Sequence, residues 1–100
     1  MNPKAIQIPG GWNIADMTPC NLPQKAASAF SAALENLLGA DYEPVLYVGT
    51  QIVNGTNYGV ICKQSIPYRG GAYEHIVLMV LHTDTNGKPD DAPVSITPIL

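Results

Sequence analysis

One hundred residues fit one domain and leave little room for two. A hydrophobic share of 46% against 13% charged is enough to fill a modest core and is unlike a disordered chain. A net charge of −3 gives no basic footprint for nucleic acid or an anionic membrane, and the longest unbroken apolar run, 76–81, is far short of the ~18 residues a membrane helix needs.

Residues 1–11 read as a flexible N-terminal arm, and 12–100 as the single domain. The arm holds Pro3, Pro9 and the pair Gly10-Gly11, which suit extended or mobile chain. Its opening, Met1-Asn2-Pro3-Lys4, lacks the apolar core of a secretory signal. The expectation is a cytoplasmic chain, or a mature secreted form whose signal has been removed. A short strand is expected near 12–15.

A helix is expected over about 22–38. Asn21 suits the N-cap, with Gln24 three residues on as in a capping box, and Pro23 is tolerable in the first turn. Ala26, Phe30, Ala33, Leu34, Leu37 and Leu38 recur at helical spacing, and Gly39 suits the stop. Such a helix would be about 25 Å long, and its small alanine face could lie close to a sheet.

The remainder reads as strands. Runs at 42–53 and 57–66 flank Asn54-Gly55, a favourable tight-turn pair. A third run, 73–83, is apolar at every position from 76 to 81, as befits a central or doubly covered strand. The stretch 84–91, with Asn86-Gly87 and Pro89, reads as a loop. Val94 and Ile96 alternate with Ser95 and Thr97 in a half-buried last strand, which Pro98 puts at an edge. One helix followed by an antiparallel meander gives an α+β class of four to five strands, with the helix across one face.

Several features that could carry chemistry read blandly. Cys20 and Cys62 are too few and too far apart for a metal site, and nothing requires a disulfide. Two free, mostly buried thiols are expected. His75 and His82 are an odd number of residues apart on one strand, so they should face opposite ways and share no metal. No acid or oxyanion element accompanies Cys62 and a histidine, so no catalytic residue is expected. Asn54-Gly55-Thr56 matches a glycosylation pattern, and the site is read as unmodified. The aspartates of 84–91 read as solvated loop charges.

One constellation stands apart. Gln51-Ile52-Val53-Asn54-Gly55 has the form Q-x-V-x-G and is followed by Thr56-Asn57-Tyr58. It resembles the inhibitory hairpin of the cystatin family, inhibitors of papain-like cysteine proteases, and the octet is similar to that of the disulfide-free stefin branch. Upstream, Ile8-Pro9-Gly10-Gly11 resembles the apolar-then-glycine segment at stefin N-termini.

The resemblance implies a curved sheet wrapped on one long helix, and a three-part wedge that blocks a protease cleft without cofactor or metal. Ile8 and Pro9 would take substrate-like subsites, Gly10 would turn the chain away from the nucleophile, and Gly11 would belong to the same binding segment. Gln51, Ile52, Val53, Asn54 and Gly55 would enter the primed side. Gln51 would either stabilise the loop or reach the enzyme. Asn86 and Gly87 would tip the second hairpin, which here departs from the family in having three aspartates and no aromatic residue. Trp12 would anchor the start of the arm. The partner would be a papain-like protease. The chain would be mostly monomeric, with a strand-exchanged dimer open to it. Two other readings fit the same elements: a non-inhibitory cystatin-fold module that binds a protein or peptide, and a small-ligand-binding or enzymatic helix-on-sheet protein.

Overall fold

The computed structural model describes residues 10–17 and 21–100. The sequence alternation resolves into five strands: β1 (Trp12–Ile14), β2 (Asp41–Val53), β3 (Gly55–Tyr68), β4 (Gly71–Thr83) and β5 (Ser95–Pro98). One helix, α1 (Gln24–Leu34), separates β1 from β2. The strands pair antiparallel in the order β1-β2-β3-β4-β5, so each neighbour in space is the neighbour in the sheet's chain order. The class is α+β, one helix on an open five-stranded antiparallel sheet.

The helix buries Ala26, Ala29, Phe30 and Ala33. They meet Tyr47 of β2 and alternate positions of β3 and β4, namely Tyr58, Val60 and Cys62 with Val77, Met79 and Leu81. The alanines let the helix backbone come close; Phe30 is the one large side chain among the buried four, and Leu34 packs at the margin of the core. Burying a Val, Leu or Met side chain contributes about 1.5–3 kcal/mol, so this one face holds most of the apolar stabilisation.

The helix is shorter than the 22–38 expected, and both of its ends differ. Pro23 takes the N-cap position with φ −56° and ψ 153°, and no side chain caps the helix, so Asn21 and Gln24 form no capping box. The ring fixes φ without supplying an acceptor. The helix stops at Leu34, with Glu35 as C-cap, well before Gly39. Leu37 still packs at the core margin, while Leu38 is 93% exposed.

The central strands run longer than expected and overhang the helix at both ends. Thirteen residues of strand reach about 43 Å at 3.3 Å each, whereas eleven of helix reach about 17 Å. The molecule is 48 Å in its longest dimension. β4 is interior, between β3 and β5. Its Val77, Met79 and Leu81 face the helix; of the alternate set, Val80 is buried while Ile76 and Leu78 are partly buried. β4 is thus central, but the helix covers only one of its faces. Register shifts in β2 lie between Pro44 and Leu46 and between Tyr47 and Gly49. Such bulges bend a strand and raise its twist, and the first lies beside a proline that cannot donate to the ladder.

β5 ends the sheet and includes Pro98, in keeping with an edge. His75 pairs with Gln64 and His82 with Asn57, which puts the histidines on opposite faces of β4. Cys62 is a free, fully buried thiol whose Sγ donates to the Val60 carbonyl at 3.9 Å. Burial pushes its pKa up to about 12. Cys20 and residues 1–9 of the expected arm lie outside the described residues. No helix among the described residues is long and apolar enough to cross a membrane.

Candidate functional site

Three segments meet at one end of the sheet. β2 and β3 are joined through Asn54 alone, with Val53 paired to Gly55 across it. Gly55 has φ +92°, while among the described residues Met17 is the one non-glycine with positive φ. Of the expected Asn54-Gly55 pair, therefore, only the glycine uses left-handed backbone. A Cβ at position 55 would also stand 2.1 Å from the Thr83 carbonyl oxygen and 2.7 Å from His82 Nε2. Glycine is needed here twice over, for its φ and because β4 lies directly against it.

The turn presents apolar side chains outward. Ile52 is 47% exposed and Val53 42% exposed. β-branched side chains have few rotamers to lose, so a tip of this kind is inexpensive to bury against a partner.

The start of the described chain is tied to this turn. The Gly10 N–H donates to the Ile52 carbonyl at 2.9 Å, and Gln51 Nε2 donates to the Gly10 carbonyl at 3.0 Å. The Gln51 Oε1 accepts from Asn57 Nδ2 at 3.0 Å. Of the two roles expected for Gln51, it performs the loop-stabilising one. Gly10 itself has φ +78°. Gly11 leads from it into β1, where Trp12 pairs with Gln51. The Trp12 ring lies over Gly59, its Cζ3 3.0 Å from where a Cβ would stand. Absence of a side chain at 59 makes the seat for the indole. Ile8 and Pro9 lie outside the described residues.

The third segment is the 84–91 loop. Asp84 is its organiser: Oδ1 accepts the N–H groups of Asn86 and Lys88, each at 2.9 Å. The Asp84 N–H donates to the Lys88 carbonyl and the Gly87 N–H to the Asp84 carbonyl. An aspartate followed two residues on by Asn-Gly is a favourable setting for such a side-chain-capped turn. Asn86 and Gly87 are exposed at its tip. The Asp90 N–H donates to the His82 carbonyl, and Thr83 bridges to Pro89. Asp84 and Asp90 thus act as acceptors that shape the loop, a role beyond the solvated loop charges expected from sequence, and Asp90 does remain exposed.

His82 joins the loop to the turn. Its Nδ1 is 2.9 Å from Asp90 Oδ2, and its Nε2 is 2.7 Å from the Asn54 carbonyl oxygen. The hydrogen bond to Asn54 raises its pKa above the ordinary value; burial opposes this, and Asp90 and Asp84 reinforce it. A polar row therefore crosses the sheet face away from the helix, from Gln51 through Asn57 to His82. Asn57 is 9% exposed, and its Oδ1 is buried without a partner, a cost of about 1–3 kcal/mol in a free chain.

Of the residues expected at the site, Gly10, Gly11, Gln51, Ile52, Val53, Asn54, Gly55, Asn86 and Gly87 belong to these three segments. The sequence reading missed His82, Asn57, Asp84 and Asp90. The Asp-x-Asn-Gly spacing could have revealed Asp84. The Asn57–His82 juxtaposition follows only from the β3–β4 register.

Two surface clefts have volumes of about 280 Å³ each. One is lined by Asp84, Lys88, Pro89, Asp90 and Asp91, the other by Lys63, Glu74, His75, Ile76 and Leu100. Both are smaller than the ~300–1,000 Å³ usual for small-ligand sites. No group of three or more His, Cys, Asp or Glu side chains suited to a metal occurs among the described residues. No protein-family model matches the chain, no curated protein matches it, and no solved structure matches it.

Proposed function

We propose that this chain is a reversible, noncovalent inhibitor of papain-like cysteine proteases, built on a cystatin-like plan. The observation that carries this reading is the convergence of Gly10, the 51–55 turn and the 84–91 loop at one end of the sheet, with Ile52 and Val53 exposed at the tip. A cleft-blocking protein needs a rigid projecting edge and no catalytic groups. Rigidity comes from the hydrogen bonds that tie the turn to both neighbouring segments. The apolar tip supplies area that gains from leaving water.

Protease–inhibitor contacts typically bury ~1,600 Å² in total, a size that three adjacent segments of a 100-residue chain can supply. Ile8 and Pro9, preceding Gly10, would extend the edge along the substrate side of the cleft.

The monomer is the inhibitory form in this reading. Opening the chain at Asn54 would straighten β2 and β3 into one strand and let a second copy re-form the same pairings. That exchange would consume the turn, so a dimer made this way would not inhibit. The test is a titration of papain, counted by active sites, with the freshly folded monomer. Stoichiometric loss of activity with the inhibitor chain intact by mass supports the proposal. Full activity at micromolar protein overturns it.

A further inference from the structure

His82 stands on β4 opposite Asn57, on the sheet face away from the helix, and its side chain is 19% exposed. It lies between the turn and the loop, 2.7 Å from the Asn54 carbonyl oxygen and 2.9 Å from Asp90 Oδ2. A carbonyl oxygen has no proton to give, and an ionised carboxylate has none either. Both ring nitrogens must therefore donate, and only the imidazolium carries two N–H groups. A neutral ring would set a lone pair against one of these oxygens and would have to release it.

We infer that doubly protonated His82 is the positioning residue that holds the 51–55 turn and the 84–91 loop in one register, so that the binding edge tightens as the imidazole takes up a proton; this rests on the inhibitor reading of that edge. Geometry on each side of the ring supports it. Gly55 leaves the space that lets the Asn54–Gly55 backbone reach Nε2. The loop is shaped by Asp84, and the Asp90 N–H is fixed on the His82 carbonyl, so the carboxylate is delivered to Nδ1.

The charged groups facing the ring are Asp90 and Asp84, both from the loop. Lys88 and Asp91 share that loop, and Lys88 meets Asp84 through its backbone amide. β3 presents neutral Asn57, and the turn presents the Asn54 carbonyl and Gly55. Gln51 and Trp12, farther along the row, are neutral as well. The folded-state pKa is raised, so the bridge is complete below the ordinary histidine value of ~6.5 and is lost as pH climbs through the folded value. Such an edge suits a target that works in mildly acidic medium.

Two readouts on the full chain test this. The first needs no protease: nitrogen-15 NMR of the His82 imidazole as a function of pH. The expected result is two protonated nitrogens in mild acid and a midpoint above ~6.5, with Asp90→Asn moving that midpoint down. Amide protection of residues 84–90 should fall through the same midpoint. A neutral ring in mild acid, or loop protection indifferent to the titration, overturns the inference.

The second readout is the inhibition constant against papain from about pH 5 to pH 8, taken as the ratio of wild type to His82→Gln so that the enzyme's own titration cancels. Glutamine offers an N–H on one side only. The ratio should favour wild type by roughly five- to tenfold in acid and approach unity at the basic end. A flat ratio with a titrating, bridged His82 overturns the inference and leaves the inhibitor reading standing. No inhibition by wild type at any pH, with the bridge intact by NMR, overturns the inhibitor reading and the inference with it.

Discussion

At one end of the long strands Gly55, with φ +92°, lies beneath the backbone of β4; at the other end Gly70, with φ +91°, has nothing within 4 Å of where a Cβ would stand. The two turns use the same left-handed backbone in different surroundings. The Gly55 end is braced by Gln51, Asn57, His82 and Asp84 across three segments. The Gly70 end is a free hairpin whose main side-chain contact is the stacked pair Tyr68 and Tyr73, centroids 4.2 Å apart and 49% and 58% exposed. Both ends expose apolar surface beyond the helix, but only one holds it on a cross-linked backbone. A partner that requires a preformed shape gains from the braced end, because little ordering entropy remains to be lost on binding.

The sharpest way to break this comparison is the same substitution at both glycines. Gly55→Ala should cost about 2–5 kcal/mol, because backbone strain adds to a clash with the Thr83 carbonyl. Gly70→Ala should cost about 1–2 kcal/mol, from strain alone. Urea denaturation of the two variants measures the difference, and equal losses would mean that β4 does not confine Gly55.

Next in size is an effect on binding with the fold kept. Val53→Asp should weaken papain inhibition by about 2–4 kcal/mol, since the carboxylate would be buried unpaired in the contact. Gly10→Glu should also weaken it, by obstructing the approach that glycine allows. Tyr73→Asp, at the other end, should leave inhibition unchanged and lose at most the ~0.5–1.5 kcal/mol of an aromatic pair from stability. Thermal melts of the free variants separate binding from folding.

The smallest contrast concerns the two ion pairs. Lys63 and Glu74 are 2.7 Å apart with side chains 43% and 55% exposed. Lys63 holds Glu74 below its ordinary pKa, but water and salt screen so open a pair. Glu74→Gln should leave the melting temperature unaltered. Asp90→Asn, which weakens the contact to the less exposed His82 ring, should lower it in mild acid and matter less in base. Calorimetry at two pH values compares them.

Much of the architecture was legible because period-2 alternation and Asn-Gly signals mark strands and turns directly. The three long strands, the loop at 84–91 and the apolar 76–81 stretch emerged in this way. Helix ends did not. Asn21 and Gln24 have the chemistry of a capping box, yet Pro23 at the N-cap fixes a geometry in which no side chain caps. Leu38 fits the helical period but falls beyond the last helical turn, because local propensity does not say where packing against β4 ceases. The turn and the Gly10 segment were readable as contiguous runs. The row Gln51–Asn57–His82 was not, since its members meet only through strand register, and a one-residue slip would send them to opposite faces. Asp90 is exposed, as a solvated charge should be, but its partner His82 was unreadable for the same reason: the pairing is set by how β4 meets the loop.

Amide hydrogen exchange of the chain with and without stoichiometric papain tests most directly whether the braced end is the binding edge. Slowed exchange at residues 10–11, 51–55 and 84–88, with 68–73 unchanged, is the expected result. Unchanged exchange at 51–55, or protection confined to 68–73, would contradict it.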